Sequence, residues 1–382
     1  MANGRQDRQD GLMRSLFLFV AGSCGLLIAS CSSSSPKGSD PIAPSTYMGV
    51  GGAAGLGGGA GTSGTNGVAG TTSFGGSPLG GVGGSGGGAA GAKTNVVTHM
   101  VAPSDTDPAI TDFLEPHAVL VPVPAPSQNL LFVHLGKTGS MPLDSTAYVT
   151  QAALAGYHVI DLRYPNAVSV SAECDGDPDP ACHEKIRAEL FDGTDKSKKV
   201  TVSPASAITN RLTKLVTYLD ATYPTESWKS FLVAGALDWS RLSLSGHSLG
   251  GGEVAYIAKK KAVTRVILLA APIDGSDAAP APWVAAVGAS PTTVFSGLVH
   301  VDDASYARIT AGWGALGMYG ADMPVNVDGP PGIFQTANAL MSSAPPPNGA
   351  DPHDAIVVDS ATPTVNGAAV YTLAWARLIG PN

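Results

Sequence analysis

Glycine decides where this chain can fold. Of its 48 glycines, 21 lie between Gly49 and Gly91, and no Asp, Glu, Lys or Arg occurs from Pro41 to Ala92. A segment with so few large apolar side chains buries too little surface to offset the entropy of ordering it, so it reads as a tether. Roughly 52 residues of this composition behave as a coil with an r.m.s. span on the order of 40 Å. The tether is assigned to 31–95, which leaves 96–382 as one domain with enough chain for a sizeable core. The net charge is -8 and no basic stripe occurs, which argues against nucleic acid as a partner.

Residues 1–30 read as a targeting segment and are set aside from the fold. Arg5, Arg8 and Arg14 precede an apolar run, Leu16 to Ile28, that is short and glycine-interrupted for a membrane span. The run ends in Ile28-Ala29-Ser30-Cys31, which resembles the lipobox of bacterial lipoproteins. The resemblance implies cleavage before Cys31 and a diacylglycerol on its thiol. Ser32 in the next position, rather than Asp, implies sorting to the outer membrane. The expected location is therefore the cell envelope, with the membrane a partner through that lipid. Cys24 leaves with the signal segment, so the exported domain keeps Cys174 and Cys182, most simply a disulfide in an oxidising compartment. The loop between them alternates Asp175, Asp177 and Asp179 as calcium loops do. Pro180 stands where an EF-hand needs glycine and no Glu follows at the twelfth position, so the loop reads as a solvated acidic turn rather than a metal site.

Within the domain, short apolar runs alternate with helical patterns. Ala118–Val121, Leu130–Val133, Val159–Leu162, Leu242–Leu244, Val266–Leu269 and Val294–Phe295 read as strands. Helices are expected over Ser145–Ala155, over Ile208–Tyr223, from about Gly250, and over Tyr371–Ile379. Ile208, Leu212, Leu215 and Leu219 fall on one face of the second of these. Strands buried on both sides and separated by helices imply a mostly parallel sheet covered on two faces, with ligands at the carboxyl ends of the strands.

At one such end, Leu242-Ser243-Leu244-Ser245-Gly246-His247-Ser248-Leu249-Gly250-Gly251 joins strand to helix through G-x-S-x-G. The pattern puts Ser248 on a turn tight enough to project its hydroxyl, while Gly246 and Gly250 remove side chains that would collide across it. The N–H of Leu249 then points to where an oxyanion would form. On these residues the chain resembles the α/β-hydrolase superfamily from about Ala118 onward. It is most similar to exported bacterial members that share the cysteine loop followed by Arg187 and Glu189, the G-H-S elbow, a late H-x-D-D and a histidine near the end.

The resemblance implies an order of nucleophile, acid, base. The acid should follow the strand two after the elbow, where Thr293–His300 is followed by Val301-Asp302-Asp303. Asp303 is preferred, because three residues usually precede the acid in this turn, and Asp302 is kept beside it. Asp274, after the preceding strand, is a rival placement. The base must lie downstream, and His353 is the one histidine there. His247 is expected to pack beside the turn, and His134 and His300 lie at strand ends without an assigned role. The second oxyanion donor is expected from Gly136-Lys137-Thr138-Gly139, as Lys137 or Thr138. The Walker spacing is absent there, so a phosphate loop is rejected.

Residues 304–350 form a long stretch between acid and base, with Trp313, Leu316, Met318, Tyr319, Met323 and Phe334 making it apolar. It reads as a lid, a substrate wall or a packed excursion, to which Trp283 adds. The reading as a whole is a lipid-anchored serine ester hydrolase of α/β-hydrolase fold needing no cofactor, acting on a small-molecule or polymeric ester. Two rivals stand beside it: a peptidase or amidase on the same triad, and a non-catalytic binding lipoprotein that keeps the fold.

Overall fold

The structure, a computed structural model, describes residues 95–126, 128–276, 278–319 and 324–380. The targeting segment, Cys31 and the glycine-rich tract lie outside the described residues.

One sheet of nine strands organises the described chain. Eight of them are β1 (Asn95–Val101), β2 (His117–Val123), β3 (Leu131–Leu135), β4 (His158–Asp161), β5 (Leu242–His247), β6 (Arg265–Leu269), β7 (Phe295–His300) and β8 (Ala339–Ser342). Their order across the sheet is β1-β2-β4-β3-β5-β6-β7-β8, and the two-residue strand Val325–Asn326 closes the far edge. β2 runs antiparallel to both β1 and β4, and from β4 to the far edge every pairing is parallel. This is the α/β-hydrolase fold. β3, β5 and β6 are buried at every position, as a sheet covered on both faces requires.

Helices cover the two faces: α1 (Thr146–Leu154), α2 (Cys182–Asp192), α3 (Ile208–Thr222), α4 (Leu249–Lys260), α5 (Tyr306–Leu316), the single turn α6 (Pro352–Ala355) and α7 (Thr372–Ile379). α1 packs with α7, whereas α2 packs with α3 and α4. The apolar stripe of α3 is buried at Ile208, Leu212, Leu215 and Leu219, as its period demands. On the α1 face the sheet carries buried polar side chains, among them Ser245, whose Oγ lies 2.8 Å from Tyr148 Oη and 3.3 Å from His134 Nδ1.

Cys174 and Cys182 form the expected disulfide at the start of α2. The acidic turn it closes pairs its carboxylates with lysines, Asp177 with Lys199 and Asp179 with Lys185. In the 304–350 segment the chain supplies helix and sheet. Trp313 of α5 is fully buried, with its Nε1–H donating to the Ala271 carbonyl at 2.6 Å, and β8 pairs with β7. Trp283 likewise is buried, its Nε1–H donating to Asp274 Oδ2 at 2.9 Å.

Candidate active site

The strand-to-helix turn after β5 is held by backbone. Ser248 has φ 55° and ψ -114°, a conformation that costs a non-glycine residue on the order of 1–3 kcal/mol and persists only where the surroundings impose it. They do so here. The Ser248 N–H donates to the Leu269 carbonyl at the end of β6 at 2.9 Å, and the Ser248 carbonyl accepts from the Gly252 N–H at 3.0 Å. A Cβ on Gly246 would collide with the Gly250 backbone, and one on Gly250 with the Leu135 and Gly136 carbonyls. The two glycines therefore let strand, turn and the neighbouring β3 loop meet at contact distance. Ser248 heads α4, whose first N–H groups have no intrahelical acceptor and carry the positive end of the helix dipole.

Opposite, at the end of β7, the chain turns through Val301 and Asp302 into Asp303. His353 Nδ1–H donates to Asp303 Oδ2 at 2.7 Å, and the Asp303 side chain is 1% exposed. The other oxygen of Asp303 accepts from the Ser305 N–H at 2.7 Å, which fixes the carboxylate plane. Asp302, the alternative acid, has a side chain that is 75% exposed and turned to His300 instead. Asp274, the rival placement, is committed elsewhere. Its two oxygens accept from Arg187 Nε–H at 2.6 Å and Nη2–H at 2.5 Å, both side chains being buried. Among the described residues, then, Asp303 is the acid of these three that meets His353, and the turn after β7 leaves its neighbour in solvent.

His353 sits on α6, whose entry is capped by Asp351 Oδ1 accepting from the His353 N–H at 2.9 Å. Two further contacts tie α6 to the other side of the site. His247, beside Ser248, donates its Nε2–H to the His353 carbonyl at 2.9 Å, with the two rings 5.1 Å apart. Burial, reinforced by the neighbouring His353, holds His247 neutral, well below the usual histidine range. Lys137 Nζ reaches Asp354 Oδ2 at 2.5 Å, joining the loop after β3 to the residue next to His353. In this state the Ser248 hydroxyl and His353 Nε2 form no hydrogen bond to a described residue.

The loop Gly136–Ser140 is shaped from behind by Asn166, whose side-chain N–H groups donate to the Lys137 and Ser140 carbonyls at 2.8 and 2.9 Å. No described residue accepts from the N–H of Leu249, Lys137 or Thr138, the three donors expected from the sequence. The Lys137 side chain, which had no part in the sequence reading, is the one that bridges to Asp354. His134 and His300 are buried. Burial pushes His134 down to about 3, and His300 donates from Nε2 to the Ala344 carbonyl at 3.0 Å while its Nδ1 accepts from the Asp302 N–H at 3.1 Å. His300 thus shapes the turn that delivers Asp303.

Beneath the elbow lies a buried ionic group. Besides Asp274, Arg187 reaches the Leu249 carbonyl at 3.2 Å and Glu253 Oε2 at 3.3 Å through Nη1–H. Burial pushes Glu253 up to about 8 despite that guanidinium, whereas the bidentate hold of Arg187 outweighs burial at Asp274 and keeps it below the usual carboxylate range. Asp274 therefore carries the counter-charge. Glu189, two residues on, turns the other way and accepts from the N–H groups of Lys196, Ser197 and Val202.

No family model matches the chain, and no curated protein matches it. Solved structures similar to it include a Klebsiella pneumoniae protein named as a dienelactone hydrolase, with a TM-score of 0.34 and 12% identity over 65% of this chain and 84% of that one. Esterase B from Lactobacillus rhamnosis, in a phosphonate-inhibited structure, gives a TM-score of 0.34 at 12% identity over 65% and 74%. An S-formylglutathione hydrolase from Agrobacterium tumefaciens gives 0.30 at 16% identity over 65% and 87%.

Proposed function

We propose that this protein is a serine hydrolase that cleaves carboxylic esters through an acyl-enzyme. The observation that carries the reading is the 2.7 Å contact between His353 Nδ1–H and Asp303 Oδ2, on a helical turn fastened to the residue beside a half-buried, strained serine. With Nδ1 committed as donor, Nε2 is the nitrogen left to act as base. It takes the Ser248 proton as Oγ attacks the ester carbonyl, while Asp303 stabilises the imidazolium that forms. The oxyanion accepts from the Leu249 N–H and from the N–H of Lys137 or Thr138. Collapse expels the alcohol with the proton from His353, and water repeats the sequence to free Ser248.

The experiment is labelling of the full chain with a fluorophosphonate, alongside turnover of p-nitrophenyl esters and peptide anilides. Labelling lost in Ser248→Ala, with esters cleaved faster than anilides, is the expected outcome. No labelling of Ser248 under any condition overturns the reading, and anilides cleaved faster than esters make the protein an amidase. The proposal extends to location: export, and anchoring to the cell envelope through lipid on Cys31, supported by Ile28-Ala29-Ser30-Cys31. Palmitate incorporation lost in Cys31→Ala would be its signature.

A further inference from the structure

Ser248 and Leu249 share the wall of a cleft of about 40 Å³. In the same measure a single water needs roughly 10–15 Å³, so the cleft holds about three heavy atoms. Val170 and Ile273 give it apolar lining, and the half-buried Ser169 and Ser171 give it polar lining. The Arg187–Asp274 pair, whose side chains are 2% and 1% exposed, also lines it and, as its most buried charged lining, is taken as its floor.

That floor is hard to move. Arg187 is held by Asp274, Glu253 and the Leu249 carbonyl, and Asp274 in turn by Trp283 Nε1–H. An acyl chain extending inward must part a buried ion pair, which leaves charge uncompensated and is strongly unfavourable. Extending outward, it meets the half-buried Ser169 and Ser171, whose hydroxyls bond each other at 3.0 Å, polar groups that offer a methylene little to bury against. In neither direction does a longer chain gain the transfer energy that lengthening normally brings.

We propose that this cleft is the acyl subsite and that it restricts the enzyme to esters of acetyl-sized acids. The carbonyl carbon, its oxygen and one methyl fill the space beside Ser248, and the alcohol lies outside. The inference rests on the serine hydrolase reading, and the experiment keeps the two apart.

Full-length protein is assayed on p-nitrophenyl acetate, butyrate, hexanoate and octanoate, with a small alkyl fluorophosphonate run in parallel. Since one misfitting methylene costs about 10–200-fold, kcat/KM for acetate should exceed that for octanoate by at least about 100-fold. Ile273→Ala, at a half-buried wall position, should narrow that ratio by about tenfold. Ser171→Ile should raise butyrate and hexanoate relative to acetate, by giving the outward chain an apolar surface, and it serves as the test if Ile273→Ala fails to fold. A flat or rising chain-length profile from a chain that labels at Ser248 overturns the acyl subsite and leaves the hydrolase reading standing. A profile that falls with length but that folded Ile273→Ala and Ser171→Ile both leave unchanged also overturns it, because the restriction then arises elsewhere. No labelling at Ser248 sinks the hydrolase reading itself.

Discussion

The two halves of the candidate site are built by different means. The proposed nucleophile is placed by backbone: a strained serine pinned between the Leu269 carbonyl and the first turn of α4, with glycines that admit no Cβ. The proposed base is placed by side chains. His353 rides on a single turn of helix and is held by Asp303, by His247 through its carbonyl, and by Lys137 through Asp354. Backbone placement is stiff and intolerant. Side-chain placement spreads the load over several contacts, each of which can be removed alone.

The contrast is sharpest in what substitution should do. Ser248→Ala removes the hydroxyl but keeps the Cβ that makes the positive φ costly, so turnover should fall about 10⁴–10⁶-fold with thermal stability nearly unchanged. Gly246→Ala should do the reverse in kind. A methyl forced into the Gly250 backbone destabilises the fold by about 3 kcal/mol or more, seen as a large drop in Tm together with lost activity. A Gly246→Ala protein that melts like the parent would break the claim that packing sets the elbow. On the base side, Asp303→Asn should leave the melting curve nearly unmoved and lower kcat by about 10⁴-fold, because the amide selects the wrong imidazole tautomer. Asp302→Asn should stay within about threefold of the parent, since an exposed side chain away from special contacts contributes little. Equal losses in both variants would show that the turn after β7 presents the wrong carboxylate.

Between the halves lies the loop after β3, and its support makes a pH-dependent prediction. Asp161, at the end of β4, is buried and accepts from the Leu143 N–H at 2.7 Å. Burial, opposed by that hydrogen bond and reinforced by Asp144 and Asp359, pushes its carboxyl up to about 7. The folded protein then binds this proton more tightly than the unfolded chain, whose carboxyl titrates near 3.8. Stability from this group is complete below pH 4, declines as pH rises to about 7, and is constant above. Asp161→Asn keeps an acceptor for Leu143 without the charge. It should be more stable than the parent at pH 8, by at most about 4 kcal/mol, and equal to it at pH 4. Urea melts at the two pH values check it, and a variant less stable at pH 8 would mean that the ionised carboxylate is needed.

What could be read from the sequence follows the same division. The elbow is local, so Gly246, Ser248 and Gly250 announce themselves within five residues, and the period of α3 is visible because an isolated amphipathic helix carries its own pattern. β8 has no such signal. Ala-Leu-Met-Ser is too short to show alternation, and it becomes sheet only because β7 offers it an open edge. The sequence prefers Asp303 to Asp302 only through the usual length of the turn, since sequence order does not say which residue of a tight turn faces inward. Asp274 is a rival on sequence order alone, and the structure removes it because Arg187, 87 residues away, occupies both of its oxygens. Contacts of that range leave no mark on local composition.

The Lys137–Asp354 bridge is the longest-range of these, spanning 217 residues, and it joins the two modes of construction. Lys137 is expected in the oxyanion loop for its backbone N–H, yet its side chain holds the residue after His353. The two roles separate cleanly, because Lys137→Met keeps the N–H and deletes the ammonium. The side chains are 31% and 18% exposed, so the pair is partly screened and its worth to global stability is about 1 kcal/mol or less. Its expected effect is on alignment: a base displaced by a fraction of an ångström loses rate while ground-state binding is kept. Lys137→Met and Asp354→Asn should each lower kcat about tenfold with KM nearly unchanged, and the double variant should be no worse than either alone. Lys137→Arg should restore most of the rate. Additive losses in the double variant would show that Lys137 and Asp354 act separately, and the base would then be held by Asp303 and His247 without help from the oxyanion loop.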